Sequence, residues 1–447
     1  MSVPLSSHLI TSALARHKTP PHIYIGYSGG VDSHVLLHLC ASITTLKNKI
    51  TAVYVHHGLQ AEAEAWAGHC EKTAQALAVD FKMLRVHAFA KPGESPEEAA
   101  RNARYTALKS LMMTDDVLLV AQHRDDQLET VLLQLFRGSG LRGLSGMPQS
   151  MLFGPGVLLR PLLNVAKQAI DDYAKAHALS WIEDPSNQCS DYGRNFLRND
   201  IVPLLKQRWP SIDKTVARSA RHCADAALVV SEIADDLMHA VFDPADNTLD
   251  ISRLKTYPLL RQKLLIRQWF QHLGLKMPAQ RVVERILSEV PAAREDSDPV
   301  LAGAGYCIRR YRNKLYCLPP VETENPLDTC WAGGQTSLPI SQYQTLVCMP
   351  SSAGILREDW ENACIDVRFR SGGEKIRLPR REGRHALKKL FQEAGIPPWE
   401  RKIMPLVYLD DRLAAVGDLW VSAEFYHEQT DACIVLVRQK TLPVINQ

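Results

Sequence analysis

The chain has 447 residues, a formal charge of +3 and a hydrophobic content of 46%. This length predicts several domains, and so mild a charge means that any nucleic-acid partner must be met by local basic patches. No apolar run approaches a membrane span and the first residues lack a signal-peptide pattern, so we expect no membrane partner. The ten cysteines stand singly, without a Cys-x-x-Cys pair, which argues against a zinc ribbon or a redox pair and suits a cytoplasmic protein.

The first half of the chain alternates short apolar runs with helical patterns, which predicts a parallel sheet covered by helices on both faces. The predicted strands are Ile23–Tyr27, Ile50–Val55, Phe81–His87 and Val117–Ala121. The predicted helices are Ser6–His17, Val31–Leu39, Ala61–Leu77, Pro96–Met112 and Asp125–Phe136. In such a sheet, ligands bind beyond the carboxyl ends of the strands.

The segment Ser28-Gly-Gly-Val-Asp-Ser33 joins the first strand to its helix. A glycine turn at this place aims free N–H groups at an anion, and it lets the backbone approach a phosphate closely. Asp32 indicates a magnesium ion or a proton to be moved, although a helix cap would also explain it. The segment resembles the loop of N-type ATP pyrophosphatases, and it has no lysine of the Gly-x-x-x-x-Gly-Lys kind.

A second polar segment, His123–Thr130, follows the fourth strand. Asp125 and Glu129 are four residues apart, so they share the exposed face near the helix start, where carboxylates also complement the helix dipole. Together with Asp126 they exceed what capping needs, and hard oxygen ligands suit Mg²⁺. His123 can polarise a phosphate or move a proton. The glycine-rich stretch that follows, Arg137–Gly146, predicts a mobile loop closing over the site.

These segments and several others resemble the tRNA(Ile)-lysidine synthetase family in order and spacing, from about Ile23 to Pro210. The matching segments are Ser28–Ser33, His56–Leu59, Ala100–Tyr105, His123–Thr130, Arg137–Gly140, Arg160–Leu163, Trp181–Asn187, Tyr192–Asn195 with Arg198, and Arg208–Pro210. A weaker likeness returns in Lys388–Trp399. Two departures, Val31 where leucine is frequent and Arg124 at a variable position, do not touch the expected chemistry.

The resemblance implies a Rossmann-like PP-loop ATPase domain and a two-step reaction. AMP passes from ATP to the C2 oxygen of the wobble cytidine in tRNA(Ile) with a CAU anticodon. The amine of free L-lysine then displaces AMP, which leaves lysidine and changes codon reading from AUG to AUA. ATP and Mg²⁺ are the implied cofactors, and the tRNA and lysine are the implied partners. The sequence leaves a homodimer open.

The resemblance also assigns expected roles to individual residues. Those expected to bind ATP are Ser28, Gly29, Gly30, Val31, Asp32, Ser33, His56 and Arg101. Catalytic roles are expected for Asp32, His123, Asp126 and Glu129, and Mg²⁺ binding for Asp32, Asp125 and Asp126. Residues expected to hold lysine, phosphate or tRNA are Arg104, Arg137, Arg142, Arg194, Arg198, Lys388 and Lys389. The sequence does not divide these tasks among the arginines.

Beyond residue 213 the pattern predicts a mainly helical domain at 214–320, a linker at 321–360 and a small basic α+β domain at 361–447. Helical spacing marks Lys214–Phe242, Pro258–Leu273 and Pro278–Val290. A predicted hairpin, Tyr306–Leu318, would present Arg309, Arg310, Arg312 and Lys314 to an RNA backbone. From Asp366 to Arg412 there are twelve lysines and arginines against seven acids, which favours a tRNA-binding surface.

Three other functions compete with this interpretation. A tRNA thiolase would keep the ATP domain but needs paired cysteines. A glutamine-dependent synthetase needs an N-terminal cysteine or a separate glutaminase, and Met1-Ser2 supplies neither. A tRNA-binding module with a vestigial nucleotide site is disfavoured by the intact Ser28–Ser33 segment and the acids after the fourth strand.

Overall fold

A computed structural model describes residues 5–17, 19–58, 62–87, 96–290, 299–319, 327–332, 334–341 and 344–440. The chain divides into two compact units, Met1–Val230 and Ser231–Gln447. The division lies inside a helix of 30 residues, Ile212–Val241. The domain boundary expected at 213/214 therefore falls in the first turn of a continuous helix.

The first unit is built on a six-stranded sheet in which only one edge strand is antiparallel. Its strands are β1 (Ile23–Gly26), β2 (Ile50–His56), β3 (Asp80–Arg85), β4 (Val117–Leu119), β5 (Ser150–Phe153) and β6 (Gly156–Leu159). The spatial order is β3-β2-β1-β4-β6-β5, and β5 runs antiparallel to β6. The predicted parallel sheet covered by helices on both faces is confirmed, but the β5–β6 hairpin was not predicted.

Helices connect these strands and cover the sheet. They are α1 (His8–Leu14), α2 (Val31–Ala41), α3 (Ala63–Ala76), α4 (Pro96–Leu111), α5 (Arg124–Phe136), α6 (Leu141–Leu144), α7 (Lys167–Ala176), α8 (Gly193–Phe196), α9 (Val202–Arg208) and α10 (Ile212–Val241). The short helix α6 lies within the glycine-rich stretch that was expected to be a mobile loop. Among the described helices of the chain, none is both long and apolar enough to cross a membrane.

Alternation along the strands explains why both faces of the sheet are covered. Ile23 and Ile25 are fully buried in one hydrophobic cluster, whereas Tyr24, between them, packs against a second cluster. Leu118 and Leu119 divide between the same two clusters. Because successive side chains of a strand point to opposite faces, apolar residues in succession require a layer of helices on each side.

The sheet brings the polar segments together at one edge. β1 pairs in parallel with β2 on one side and with β4 on the other, so the chain reverses its direction of winding between β1 and β4. A crevice opens at such a switch point, outside the carboxyl ends of the strands. The segment Ser28–Ser33 leaves β1 there and His123 follows β4, so the topology alone places them side by side.

The second unit begins with helices and an antiparallel sheet. After α10 come β7 (Phe242–Asp243), β8 (Thr248–Asp250), α11 (Ile251–Lys255), α12 (Leu259–His272), α13 (Gln280–Ser288), β9 (Val300–Gly303), β10 (Tyr306–Tyr311) and β11 (Lys314–Leu318). The sheet order is β7-β8-β11-β10-β9. Trp269 and Phe270 of α12 and Ile308 and Leu315 of the sheet are fully buried in one core. The predicted helices and the β10–β11 hairpin are present, whereas the other three strands were not predicted.

The remaining elements form a β-rich C-terminal region. They are β12 (Thr329–Trp331), β13 (Ser337–Ser341), β14 (Gln344–Leu356), α14 (Arg357–Asn362), β15 (Ile365–Arg368), β16 (Lys375–Ile376), β17 (His385–Ala386), α15 (Leu387–Glu393), α16 (Pro398–Lys402), β18 (Leu406–Leu409), β19 (Arg412–Val416), β20 (Trp420–Val421) and β21 (Tyr426–Lys440). Three sheets form, in the orders β12-β15-β18-β19-β20, β13-β14-β21 and β16-β17.

The linker expected at 321–360 is wrong for the part that the structure describes. β12 pairs with β15, and β14 pairs with β21 along most of its length. The partner of β14 lies more than seventy residues further along the chain, so no local pattern marks this pairing. Residues 320–326 lie outside the described part of the chain.

Candidate active site

The segment Ser28–Ser33 forms a closed turn between β1 and α2. The Ser28 amide donates to Ser33 Oγ at 3.2 Å, and Ser33 Oγ donates to the Gly30 carbonyl at 2.9 Å. α2 begins at Val31 after Gly30, and no side chain caps its first turn. Its terminal N–H groups are therefore left for an anion, and the helix dipole adds positive potential.

Gly29 is required by its surroundings as well as by its conformation. Its φ is +84°, and a Cβ there would lie 2.5 Å from Ile182 Cδ1 and 2.9 Å from Cys70 Sγ. The Ile182 amide donates to the Gly29 carbonyl at 3.0 Å, and His34 Nδ1 lies 2.8 Å from the Ser180 carbonyl oxygen. We call the segment Ser28–Ser33 the phosphate loop. The chain at Ile182 packs against this loop and bonds to it, a role that was not predicted for Trp181–Asn187.

Asp32 lies at the mouth of the loop, between the Lys167 ammonium and the His123 imidazole. Lys167 Nζ, at the start of α7, is 2.6 Å from Asp32 Oδ1, and His123 Nε2 is 3.6 Å from Oδ2. Burial opposes ionisation of Asp32, but the bond with His123 and the charges of His123 and Lys167 lower its pKa to about 2. Asp32 is therefore a carboxylate at every physiological pH, which makes it an acceptor or a metal ligand and not an acid.

His123 is the N-cap of α5. Its Nδ1 accepts the Asp125 amide at 3.2 Å, and the His123 amide donates to Asp126 Oδ2 at 2.9 Å, which completes a capping box. Because Nδ1 accepts, the ring proton is on Nε2, which faces Asp32 and lies 3.4 Å from Asp126 Oδ2. Burial lowers the pKa of His123, but the neighbouring carboxylates Asp32 and Asp126 outweigh this and raise it.

Glu129 anchors two arginines and is almost fully buried, at 1% exposure. Arg194 Nε donates to Glu129 Oε2 at 2.8 Å, and Arg198 Nε donates to Oε1 at 2.7 Å. Arg198 Nη2 also donates to Asp126 Oδ1 at 2.9 Å. Burial opposes the charge of Arg198, but its bond to Glu129 prevails and raises its pKa. A buried carboxylate is tolerated here because both of its oxygens are paired, and the pairing orients both guanidinium groups.

Asp125 has a different environment from the other two predicted metal ligands. Its Oδ2 accepts from Lys206 of α9, and its neighbour Arg124 donates to Asp213 Oδ2 at 2.6 Å. These pairs fasten the start of α5 to the helices that follow it. Asp32 and Asp126 both approach His123, whereas the observed ion pair of Asp125 is to Lys206. No cluster of three or more metal-binding side chains is found among the described residues.

Two other predicted ATP ligands, His56 and Arg101, lie at the end of β2 and in α4. His56 Nδ1 accepts the Gly58 amide at 3.2 Å, and His56 Nε2 is 3.6 Å from Glu64 Oε1. Arg101 lies over the ring of Tyr105 at 4.9 Å. Leu59, the last residue of the His56–Leu59 segment, lies outside the described part of the chain.

The remaining predicted tRNA or lysine contacts are spread over several surfaces. The Arg104 guanidinium lies 5.9 Å from the centre of the Tyr105 ring on α4. Arg137 at the end of α5 and Arg142 in α6 are exposed, as are Lys388 and Lys389 of α15 in the second unit. Arg194 and Arg198 alone of this predicted set are joined to Asp126 and Glu129 by bonds that the structure describes.

The expected exposed face of the β10–β11 hairpin is wrong in part. Arg309 is only 8% exposed, and its guanidinium lies over the Trp399 ring at 5.2 Å. Lys314 Nζ contacts Asp243 at 2.7 Å and Asp246 at 2.9 Å. Arg309 and Arg310 are adjacent on β10, so they point to opposite faces of the sheet and one face could not present both. Arg309 is also covered by Trp399, which lies far along the chain, and no local pattern reveals that contact.

Lys167 is the residue of this site that sequence reasoning missed. It stands where the chain leaves β6 and begins α7, at the same edge as the three polar segments. The rule that found those segments, inspection of the residues after each parallel strand, would have found it too. β6 is only four residues long and pairs with β5 as a hairpin, so it was not recognised as a strand of the parallel sheet.

The chain was compared with protein families and known proteins. It matches the PP-loop domain family over residues 6–205, the TilS substrate binding domain over 249–316 and the TilS substrate C-terminal domain over 365–437. It is 42% identical to the tRNA(Ile)-lysidine synthase of Methylococcus capsulatus over 90% of this chain and 92% of that protein. The chain belongs to the tRNA(Ile)-lysidine synthase family.

A second tRNA(Ile)-lysidine synthase, from Photobacterium profundum, is 39% identical over 96% of this chain and 98% of its own length. Among solved structures, the U34-tRNA thiolase NcsA from Methanococcus maripaludis with its [4Fe-4S] cluster is similar at 16% identity and a TM-score of 0.41. That likeness covers 48% of this chain and 77% of NcsA, and it is too slight to bear on function. The resemblance to the lysidine synthases found in the sequence is confirmed. Asp32 and Glu129, with the side chains that contact them, lie within the matched PP-loop domain.

Proposed function

We propose that this protein transfers AMP from ATP to the C2 oxygen of the wobble cytidine in a CAU-anticodon tRNA(Ile) and then ligates L-lysine there. In the first step the C2 oxygen attacks the α-phosphorus and diphosphate leaves. In the second, a lysine amine attacks C2, AMP leaves with the C2 oxygen, and the amine loses a proton. The observation that supports this most is the pairing of an uncapped phosphate loop with the Asp32–His123–Asp126 group at one sheet edge, in a chain of this family.

The phosphate loop binds the nucleotide through its backbone. Amides at the start of α2 point towards the phosphates, and Gly29 keeps the approach free of a Cβ. These groups are held in place before the nucleotide arrives, by the Ser28–Ser33 bonds and by Ile182. Donors fixed in advance stabilise the charge that develops on the diphosphate without reorganising during the reaction.

His123 and Asp32 handle protons and positive charge beside the α-phosphate. The Nε2–H of His123 is directed to the carboxylates, so it can turn to a phosphate oxygen or to the C2 oxygen as charge develops there. Asp32 stays ionised because of His123 and Lys167. A carboxylate with so low a pKa is a weak base, so Asp32 can orient the attacking lysine amine by a hydrogen bond while the proton passes to water.

Mg²⁺ fits this site through Asp32. That carboxylate is one-third exposed, and Mg²⁺ is usually held by one or two carboxylates together with phosphate oxygens and water. Asp32 Oδ1 accepts from Lys167, so the ion would take the place of that ammonium. Both oxygens of Asp126 accept bonds, whereas Asp125 accepts from Lys206 with Oδ2 and its Oδ1 is buried without a hydrogen-bond partner among the described residues, so Asp125 could supply a second oxygen. When bound, the ion would neutralise charge on the phosphates of ATP.

Arg194 and Arg198 are suited to the anionic group of the second substrate. Glu129 holds both guanidinium groups from one side, so their remaining N–H donors can reach a carboxylate or a phosphate. Free lysine brings an α-carboxylate, and the tRNA brings backbone phosphates. We propose that these two arginines bind one of these anions, while Arg104, Arg137 and Arg142 contact RNA more loosely.

The exposed basic surface of the C-terminal region, including Lys388 and Lys389, would hold the tRNA away from the anticodon. Neutralising phosphates releases counterions, so this contribution depends on salt. We also propose that the protein acts in the cytoplasm. All ten cysteines lie in the described part of the chain and none is bonded to another, which suits a reducing compartment and does not support a thiolase with paired cysteines.

The deciding experiment is incubation with ATP, Mg²⁺, labelled lysine and a CAU-anticodon tRNA(Ile). We expect lysine in the RNA and one AMP released per lysine incorporated. The same tRNA with uridine at the wobble position serves as the RNA control. Asp32→Asn should abolish incorporation, and Asp172→Asn, which changes an exposed aspartate of α7, should retain it. Absence of lysine incorporation by the wild-type protein would reject the proposed reaction.

A further inference from the structure

A cluster of aromatic and arginine side chains joins two modules of the second unit that the family comparisons treat separately. One module is the region at 249–316 and the other the region at 365–437. We call this cluster the joint and define it by five residues: Arg309, Tyr311 and Tyr316 from the β10–β11 hairpin, and Trp399 and Arg401 from α16.

The three hairpin residues of the joint lie on one face because of the strand register. Arg309 and Tyr311 are two residues apart on β10, so they point to the same side. Tyr316 of β11 pairs directly with Arg309, which places it on that side as well. The hairpin therefore presents the Arg309 guanidinium and two aromatic rings on the same face.

Trp399 is held by all three of them. Its ring centre lies 5.2 Å from that of Tyr316 and 6.2 Å from that of Tyr311, and both pairs are edge to face. The Arg309 guanidinium lies 5.2 Å from the same ring. The Trp399 indole nitrogen is buried and has no hydrogen-bond partner among the described residues, so rings and charge fix this side chain.

Two arginines add hydrogen bonds across the same contact. Arg401 is only 9% exposed and donates to the Tyr311 hydroxyl at 3.1 Å and to the Ile396 carbonyl at 2.6 Å. Arg312, in the turn of the hairpin, donates to the Gln392 carbonyl at 2.6 Å. That carbonyl belongs to the last turn of α15, the helix that carries Lys388 and Lys389.

The residue types in the joint suggest that it fixes the relative orientation of the two modules and does not only hold them together. Aliphatic side chains would be enough to hold two modules together. A buried guanidinium loses its hydration, and this cost is offset only by partners in the correct orientation. Arg309 and Arg401 are both buried here, and each partner has a directional requirement. Domains of one chain ordinarily move relative to one another. Hydrogen bonds and edge-to-face ring contacts, which require a particular geometry, would restrict that motion here.

We infer that the joint is a positioning device: it fixes the basic helix α15 relative to the middle module, so that tRNA held by the C-terminal module is presented in one orientation. This inference rests on the proposed function, since it assumes that α15 contacts tRNA. Binding energy from a remote part of a substrate accelerates a reaction only if the surface that binds this part is held in a fixed position relative to the rest of the enzyme.

Trp399→Ala tests the joint itself, Arg312→Ala removes the adjacent bond from the hairpin turn to α15, and Tyr311→Phe removes only the hydroxyl that Arg401 bonds. The matched control is Arg285→Ala, which deletes an exposed arginine of α13 in the middle module, away from the joint. The first measurement is amide hydrogen exchange in the full-length protein without RNA. We expect faster exchange in α15 in both alanine variants, a smaller effect in Tyr311→Phe, and unchanged exchange in the buried helix α12.

The second measurement is single-turnover lysidine formation at saturating enzyme with full-length tRNA(Ile). We expect the saturated rate to fall about tenfold in Trp399→Ala and Arg312→Ala, because misplacement of a substrate by about 1 Å can cost up to 10²-fold. The Arg285→Ala control should keep the wild-type rate.

Unchanged exchange in α15, or faster exchange together with a wild-type saturated rate, would overturn the inference. Faster exchange throughout the second unit would also overturn it, because that result indicates general destabilisation. If the wild-type protein forms no lysidine, the proposed function fails while the exchange measurement still decides whether the joint orders α15.

Discussion

Replacing Lys167 by methionine tests the charge arrangement around Asp32. The substitution keeps the length of the side chain and removes the ammonium that lies 2.6 Å from Asp32 Oδ1 and 3.1 Å from Asp171. Asp32 then keeps its contact with His123 Nε2 at 3.6 Å and a weaker electrostatic interaction with Arg198. We expect the pKa of Asp32 to rise and its carboxylate to lose its fixed orientation.

The size of the effect follows from the pKa. Burial raises the pKa of Asp32, yet it lies near 2, about two units below that of a free aspartate, and one unit corresponds to about 1.4 kcal/mol. His123 supplies the larger part of the lowering and Lys167 the smaller. Because the carboxylate is one-third exposed, solvent screens the pair, and the share of Lys167 is about 1 kcal/mol.

The sign gives the pH window. A depressed carboxyl pKa stabilises the folded state above the unfolded value of about 3.9, and this contribution is lost as the pH falls towards 2. The melting temperature of Lys167→Met should therefore lie below that of wild type at pH 7, and the difference should shrink below about pH 4. Lys175→Met, an exposed lysine in the last turn of the same helix, is the control.

The catalytic consequence should exceed the loss of stability. We expect kcat/KM for ATP in tRNA-dependent AMP release to fall 10- to 100-fold in Lys167→Met, since a misplaced reacting group can cost about 10²-fold. Lys167→Arg keeps the charge and should recover part of the activity. If Lys167→Met matches Lys175→Met both in rate and in the pH dependence of melting, Lys167 does not position Asp32.

Three further substitutions test other parts of the protein. Asp32→Ala should lower AMP transfer by at least 10²-fold while tRNA affinity in filter binding stays near wild type. Gly29→Ala combines a φ of +84° with a Cβ 2.5 Å from Ile182 Cδ1, so calorimetry should show a loss of about 2–4 kcal/mol and the KM for ATP should rise. Alanine at both Lys388 and Lys389 should reduce the slope of a plot of log tRNA-binding constant against log salt concentration by about two. An unchanged slope would mean that these two lysines do not contact the tRNA backbone.

The part of the fold that could be predicted is the part with local signals. Ile23 to Gly26 and the helix from Val31 were predicted because a buried parallel strand is apolar on both faces and a glycine turn ends it. The strands β13 and β14 were missed because β14, the partner of β13, pairs with β21, which lies more than seventy residues further along the chain. Pairing over such a separation depends on tertiary contacts, which no window of ten residues contains.

The candidate site shows the same division. Asp32, His123 and Asp126 were predicted to lie together because each belongs to the segment that follows a strand of the sheet, and the structure places their side chains close to one another. The sequence could not predict which acidic side chain forms an ion pair with which basic side chain. Asp125 and Asp126 are adjacent in the chain, yet one pairs with Lys206 and the other with Arg198, because helix geometry turns neighbouring side chains by about 100°.

The pairing explains how the site can be ready before substrate binds. Asp32, Asp126 and Glu129 pair with Lys167, Arg198 and Arg194, so each of these three cations is held in place by a carboxylate of the protein. In the proposed reaction, ATP and the carboxylate of lysine would compete for cations that are already oriented, and binding would exchange one partner for another instead of ordering free side chains. The buried position of Glu129 suits this task, because a carboxylate with 1% exposure keeps its two arginines aligned while their outer N–H donors change partners.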